Sequence, residues 1–136
     1  MQKIVILKTS VDETVQQLIE EMHGAEIHCL IQHSQIERFK MIYPDIKYVD
    51  IKKENFYDLD EDIFENLKGI VFDELYITFT GLIGHNYGNV VEIAKKIRWK
   101  KGFFYNCNGD RTEIPVLNKI QDFFLGLYIN ICKLIY

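Results

Sequence analysis

The sequence predicts a three-layer α/β/α fold, because five short runs of mostly apolar, β-branched or aromatic residues alternate with segments of helical period. Near-continuous apolar runs are the mark of strands buried on both faces, which is how a parallel sheet between helices reads. No low-complexity linker, internal repeat or composition break divides the 136 residues, so residues 1–136 read as one domain. Together these observations give a Rossmann-like sandwich whose five-stranded parallel sheet has the order 3-2-1-4-5. With 48% hydrophobic residues the chain can build its core without disulfides or metals.

Ile4 to Lys8 is the first strand, and Asp12 to His23 the first helix, with Val15, Leu18, Ile19 and Met22 on one face and Gly24 ending it. Asp12 or Ser10 is expected to cap it. Glu26 to Ile31 is the second strand. Ser34 then caps a helix that turns Ile36, Phe39 and Ile42 inward and stops at Tyr43-Pro44. The third strand is Ile46 to Ile51, followed by a polar loop and a short helix, Glu61 to Lys68, carrying Ile63, Phe64 and Leu67. Leu75 to Thr80 is the fourth strand. The helix after it covers about Asn89 to Trp99, with Val90, Ile93, Ala94 and Ile97 on one face, and Gly102 to Asn106 is the fifth strand. Asn108-Gly109 is a tight-turn dipeptide, and Pro115 starts a last helix over about 116–136. That helix is apolar nearly all round, so one face packs on the sheet and the other is left for a homodimer or a partner subunit.

The charge balance narrows the function classes. A formal net charge of −4 and a pI near 5.5 argue against a sequence-independent nucleic-acid binder. Cys29, Cys107 and Cys132 are widely spaced and form no CxxC pair, which fits a reducing, cytoplasmic compartment. Met1 to Lys8 reads as a strand rather than a signal peptide. The apolar region from Phe123 to Tyr136 is interrupted by Gly126, Asn130 and Lys133 and falls short of the roughly 20 apolar residues that span a bilayer.

In a sheet of this order a ligand crevice lies outside the carboxyl ends of the strands where the winding reverses, here between the first and fourth. That sets Lys8 to Glu13 opposite Thr80 to Asn89. Thr9, Ser10, Asp12 and Glu13 put two hydroxyls and two carboxylates before a helix, as a cap or as a general base. Gly81, Gly84 and Gly88, with His85, Asn86 and Tyr87 between them, match neither the dinucleotide fingerprint nor the P-loop. They read as a turn needing positive φ or as a backbone cradle for a ligand, flanked by Thr80 and Asn89. His23, His28 and His33 lack metal-ligand spacing, so no metal and no cofactor is expected. Cys29 reads as a core thiol. The basic run Lys95 to Lys101 reads as a helix C-terminus, with a peripheral membrane contact as its sharper reading.

Several segments resemble the N-terminal, acceptor-side half of bacterial GT-B glycosyltransferases, in particular the heptosyltransferase-like family 9. They are Ile4-Val5-Ile6-Leu7-Lys8-Thr9-Ser10 entering an acidic helix start, the strand Glu26-Ile27-His28-Cys29-Leu30-Ile31, Tyr43-Pro44, and Tyr87-Gly88-Asn89-Val90. The resemblance spans nearly all of this chain and half of such an enzyme. It implies hexosyl or heptosyl transfer, with an acid in the first βα loop as base, here Asp12 or Glu13, and a sugar-nucleotide domain supplied by a partner. His85 would orient or stabilise an oxygen. The expectation is therefore a glycosyltransferase-like domain, incomplete as a transferase alone, that binds a small polar or sugar-bearing ligand through Thr9, Ser10, Thr80, Gly81, Gly84, Asn86, Tyr87, Gly88 and Asn89. The alternative is a non-enzymatic oligomeric interaction module assembled through the final helix. A phosphoacceptor receiver domain fits worse, since no lysine follows the fifth strand.

Overall fold

The computed structural model describes residues 1–56, 59–79 and 87–114, the side chains of residues 87–89 excepted. Six strands, β1 (Lys3–Leu7), β2 (Glu26–Ile31), β3 (Lys47–Asp50), β4 (Val71–Thr78), β5 (Arg98–Tyr105) and β6 (Arg111–Ile114), form one sheet in the order β3-β2-β1-β4-β5-β6. The first five are parallel and β6 runs antiparallel to β5. This corrects the expected five-stranded, all-parallel sheet of order 3-2-1-4-5. The added strand follows from the turn before it. Asn106 Oδ1 accepts the backbone N–H groups of Asn108 (3.0 Å) and Asp110 (2.9 Å), and Gly109 takes φ +82°, so the chain doubles back on β5. Arg111-Thr112-Glu113-Ile114 is too short and polar to read as a strand, since only Ile114 is buried.

Among the described residues there are three α-helices, α1 (Asp12–Glu21), α2 (Ile36–Ile42) and α3 (Tyr87–Ala94), with a 3₁₀ turn at His33–Gln35 and a 3₁₀ helix at Glu61–Leu67. Val15, Leu18 and Ile19 of α1 and Ile36 and Phe39 of α2 pack on Ile4, Ile6, Cys29 and Ile31. On the other face Ile63, Phe64 and Leu67 of the 3₁₀ helix and Val91, Ile93 and Ala94 of α3 pack on Val5, Leu7, Leu30 and Leu75. Helical segments thus line both faces, and alternate residues of β1 feed the two clusters. Ile4, Val5, Ile6 and Leu7 are all fully buried, each worth about 1.5–3 kcal/mol of burial.

Several boundaries differ from the sequence-based expectation. β4 starts at Val71 rather than Leu75, because Asp73 and Glu74 interrupt the apolar run yet find partners on their neighbours: Asp73 accepts the backbone N–H of Lys3 (2.8 Å) and Glu74 the Tyr76 hydroxyl (3.0 Å). α3 ends at Ala94 and β5 begins at Arg98, so Lys95 to Lys101 is a turn and a strand, not a helix C-terminus. Trp99 sets that boundary. Its indole Nε1 donates to Ala94 O (3.0 Å) and its ring lies over Gly102, where a Cβ would come within 2.9 Å of it. Neither Ser10 nor Asp12 caps α1, whose N-cap position is Val11. Ser34 sits inside the 3₁₀ turn and donates to Glu54 (2.6 Å) instead of capping α2. Ile42 is half exposed rather than inward, because α2 is only two turns long and ends at Tyr43. The expected helix over 116–136 lies outside the described residues.

Candidate functional site

The winding reverses between β1 and β4, and side-chain hydrogen bonds tie the carboxyl ends of those strands together. Thr78, fully buried, donates its hydroxyl to Leu7 O (2.9 Å) and accepts the backbone N–H of Thr9 (3.2 Å). The Thr9 hydroxyl in turn donates to Thr78 O. On the β2 side, Lys8 N donates to Leu30 O (3.0 Å), and the Gln32 amide donates to Lys8 O (3.1 Å). Each bond pairs a polar group that the closing of the sheet removes from water.

Lys8 follows this lock, and its side chain is only 2% exposed. Its ammonium lies 2.9 Å from Asp12 Oδ1, donates to Ser10 O (3.0 Å) and sits 5.5 Å from the centre of the Phe39 ring. These partners offset the hydration that a buried ammonium gives up. Arg38, from α2, grips the same carboxylate in a fork, Nε to Oδ2 at 2.6 Å and Nη2 to Oδ1 at 2.9 Å. The Arg38 guanidinium, with Lys8 assisting against partial burial, holds the Asp12 carboxyl below its usual range. Asp12 is therefore a node joining β1, α1 and α2, and a carboxylate engaged by two cations is a weak base. Glu13 is exposed and has no ion pair among the described residues.

Thr9, Ser10 and Asp12 lie at the carboxyl end of β1 and the start of α1, and Glu13 follows them in the first turn of α1. Thr80, Gly81, Gly84, His85 and Asn86 lie outside the described residues. Tyr87, Gly88 and Asn89 supply the backbone of the first turn of α3, their side chains lying outside the description. Arg38 and Gln32 escaped the sequence reading, and Lys8 was placed at the crevice without a role. Lys8 carries a local signal, an i,i+4 pairing with Asp12 directly after an apolar strand. Arg38 and Gln32 reach the site through the packing of α2 and β2, which no local spacing reveals. Gln32 is buried, and its amide oxygen has no hydrogen-bond partner among the described residues.

The remaining titratable groups stand apart. His28 is buried edge-on against Phe72, ring centres 5.0 Å apart, whereas His33 is exposed with Nδ1 2.6 Å from Asp50 Oδ2. Among the described residues no three His, Cys, Asp or Glu side chains gather in a way that could hold a metal ion. Burial pushes the Cys29 thiol up to about 12, which leaves it inert. Among the described residues no helix is long and apolar enough to cross a membrane. No family model, no characterised protein and no solved structure matches the chain.

Proposed function

We propose that the chain is a glycosyltransferase-like, Rossmann-like domain that binds a small polar or sugar-bearing ligand at the carboxyl edge of its sheet and completes a transfer only with a partner. The observation that carries this reading is the convergence of Lys8, Ser10, Asp12, Gln32 and Arg38 at the winding reversal, the place where open α/β sheets bind ligands. Arg38 is half exposed, and is the cation of the cluster able to meet a ligand while Lys8 stays with Asp12. In the transferase version Glu13, not Asp12, is the better base, because its carboxylate is exposed and unpaired among the described residues. The free thiols of Cys29 and Cys107 support a cytoplasmic setting.

Thermal-shift screening with sugar phosphates and sugar nucleotides tests the binding claim. A saturable rise in Tm is expected, with affinity for the responding compound about tenfold or more weaker in Arg38→Ala. The absence of any response, or a response that ignores Arg38, would overturn the reading. If transfer is reconstituted with a partner, activity should survive Asp12→Asn better than Glu13→Gln.

A further inference from the structure

We infer that the amino edge of the sheet, opposite the crevice, is a docking surface for an anionic lipid bilayer. In this topology the five parallel strands start, and every helix between them ends, at that edge. Four of the large apolar side chains with high exposure belong to it: Met1 (93%), Met41 (87%), Ile42 (52%) and Val71 (48%). Met1 and Ile42 line one hollow of about 420 Å³. Continuing the β1–β4 register past Lys3 brings Met1 level with Val71, which pairs with Arg98 of β5. The apolar strip therefore runs from the end of α2 across β1 and β4 to a basic strand.

The cations along the strip fall into two groups. Lys68 is taken by Glu65 (2.8 Å), Lys95 by Glu92 (3.3 Å) and Lys100 by Asp73 (3.2 Å), the ordinary fate of a surface lysine. Lys3, Arg98 and Lys101 make no side-chain ion pair with a described residue, and they surround the Met1–Val71 row. Of the acids near the strip, Glu26 is paired with Lys47 (3.1 Å), Glu74 lies level with Lys101 and accepts the Tyr76 hydroxyl (3.0 Å), and Asp45 lines the hollow at its α2 end. Cations without a direct ion pair among the described residues thus stand at the Val71 end of a strip of side chains that gain by leaving water, the combination that binds an anionic membrane surface. A nucleic-acid backbone would match the cations and leave the methionines and Ile42 unused. A second copy docking by two-fold symmetry would bring the same cations against each other.

Co-sedimentation of the full chain with vesicles tests this. Binding to phosphatidylcholine–phosphatidylserine vesicles is expected, with none to phosphatidylcholine alone and release at molar salt. Arg98→Glu with Lys101→Glu should weaken it by about tenfold or more, since each basic group near the surface counts for about fivefold. Met41→Gln with Ile42→Gln, both exposed positions, should weaken it at unchanged salt dependence. Lys52→Glu at the opposite edge serves as the charge control and should leave binding unchanged. Equal pelleting with neutral vesicles, binding untouched by the Arg98 and Lys101 reversals in a chain that keeps its circular dichroism, or preferential binding of an RNA oligonucleotide would overturn the inference. None of these outcomes depends on a crevice ligand.

Discussion

The two edges of the sheet have opposite characters. At the carboxyl edge the ends of β1, β2 and β4 are stitched by Thr9, Thr78 and Gln32, and a buried lysine, a carboxylate and a forked arginine share one charge network. At the amino edge apolar side chains stand in solvent around a hollow, and Arg98 and Lys101 make no ion pair with a described residue. The parallel topology produces this division. Helices begin where strands end, so hydroxyls and acids collect at one edge, whereas the other holds the start of β5 with Arg98 and Lys101. The first edge holds its polar groups in place; the second leaves apolar side chains in solvent.

Substitutions should therefore cost much at the carboxyl edge and little at the amino edge. The largest effect is expected for Asp12→Ala, which leaves the Lys8 charge buried without its carboxylate; urea denaturation should show a loss of about 3 kcal/mol. Lys8→Met should cost distinctly less, because Asp12 keeps Arg38, and equal losses would show that the two cations do not share one network. Thr78→Val preserves shape and removes the hydroxyl that links Leu7 and Thr9, a loss of about 1–3 kcal/mol by the same measurement. At the amino edge Met41→Gln should stay within about 0.5 kcal/mol of the parent, and a larger loss would mean that this side chain is part of the core.

The histidines sharpen the comparison in pH. Burial against Phe72 depresses His28, so its neutral form is favoured by folding and stability falls as pH drops below the ordinary value of 6.5. Asp50 raises His33, so the stability it adds is fully present below 6.5 and is lost as pH rises through the folded-state value. The two slopes oppose each other. In His33→Ala, stability against pH should climb more steeply toward neutrality, and in His28→Phe that climb should disappear; parallel curves would contradict the assignment. Asp12 acts lower down. Its depressed carboxyl gives stability that is present above the ordinary value of 3.8 and lost as pH falls through the folded value, a loss that Asp12→Asn should remove.

Much of this architecture was legible in the residues, and the failures have physical causes. β2 was readable to the residue because Ile27, Cys29, Leu30 and Ile31 concentrate between Gly24 and the polar stretch starting at Gln32. The crevice followed from the winding. The start of β5 was hidden because Lys95 to Lys101 has the composition of a helix end, while the long-range pairing of Trp99 with Phe72 decides in favour of strand. β6 was hidden because its partner, not its composition, makes it a strand. At the site, Ser10, Asp12 and Glu13 were visible as helix-start chemistry, but the partners that fix Asp12 come from outside its local sequence: Arg38 arrives twenty-six residues later. Local spacing shows which groups are present, and packing decides which of them are already engaged.

The central claim is that the carboxyl edge is the ligand site. An amide ¹H–¹⁵N spectrum titrated with the compound that gives the largest thermal shift tests it most directly. The account predicts saturable shifts at Lys8 to Glu13, Gln32 and Arg38, with Met22, Ile42 and Val71 unmoved. Shifts confined to the amino edge, or spread evenly over the chain, would contradict it.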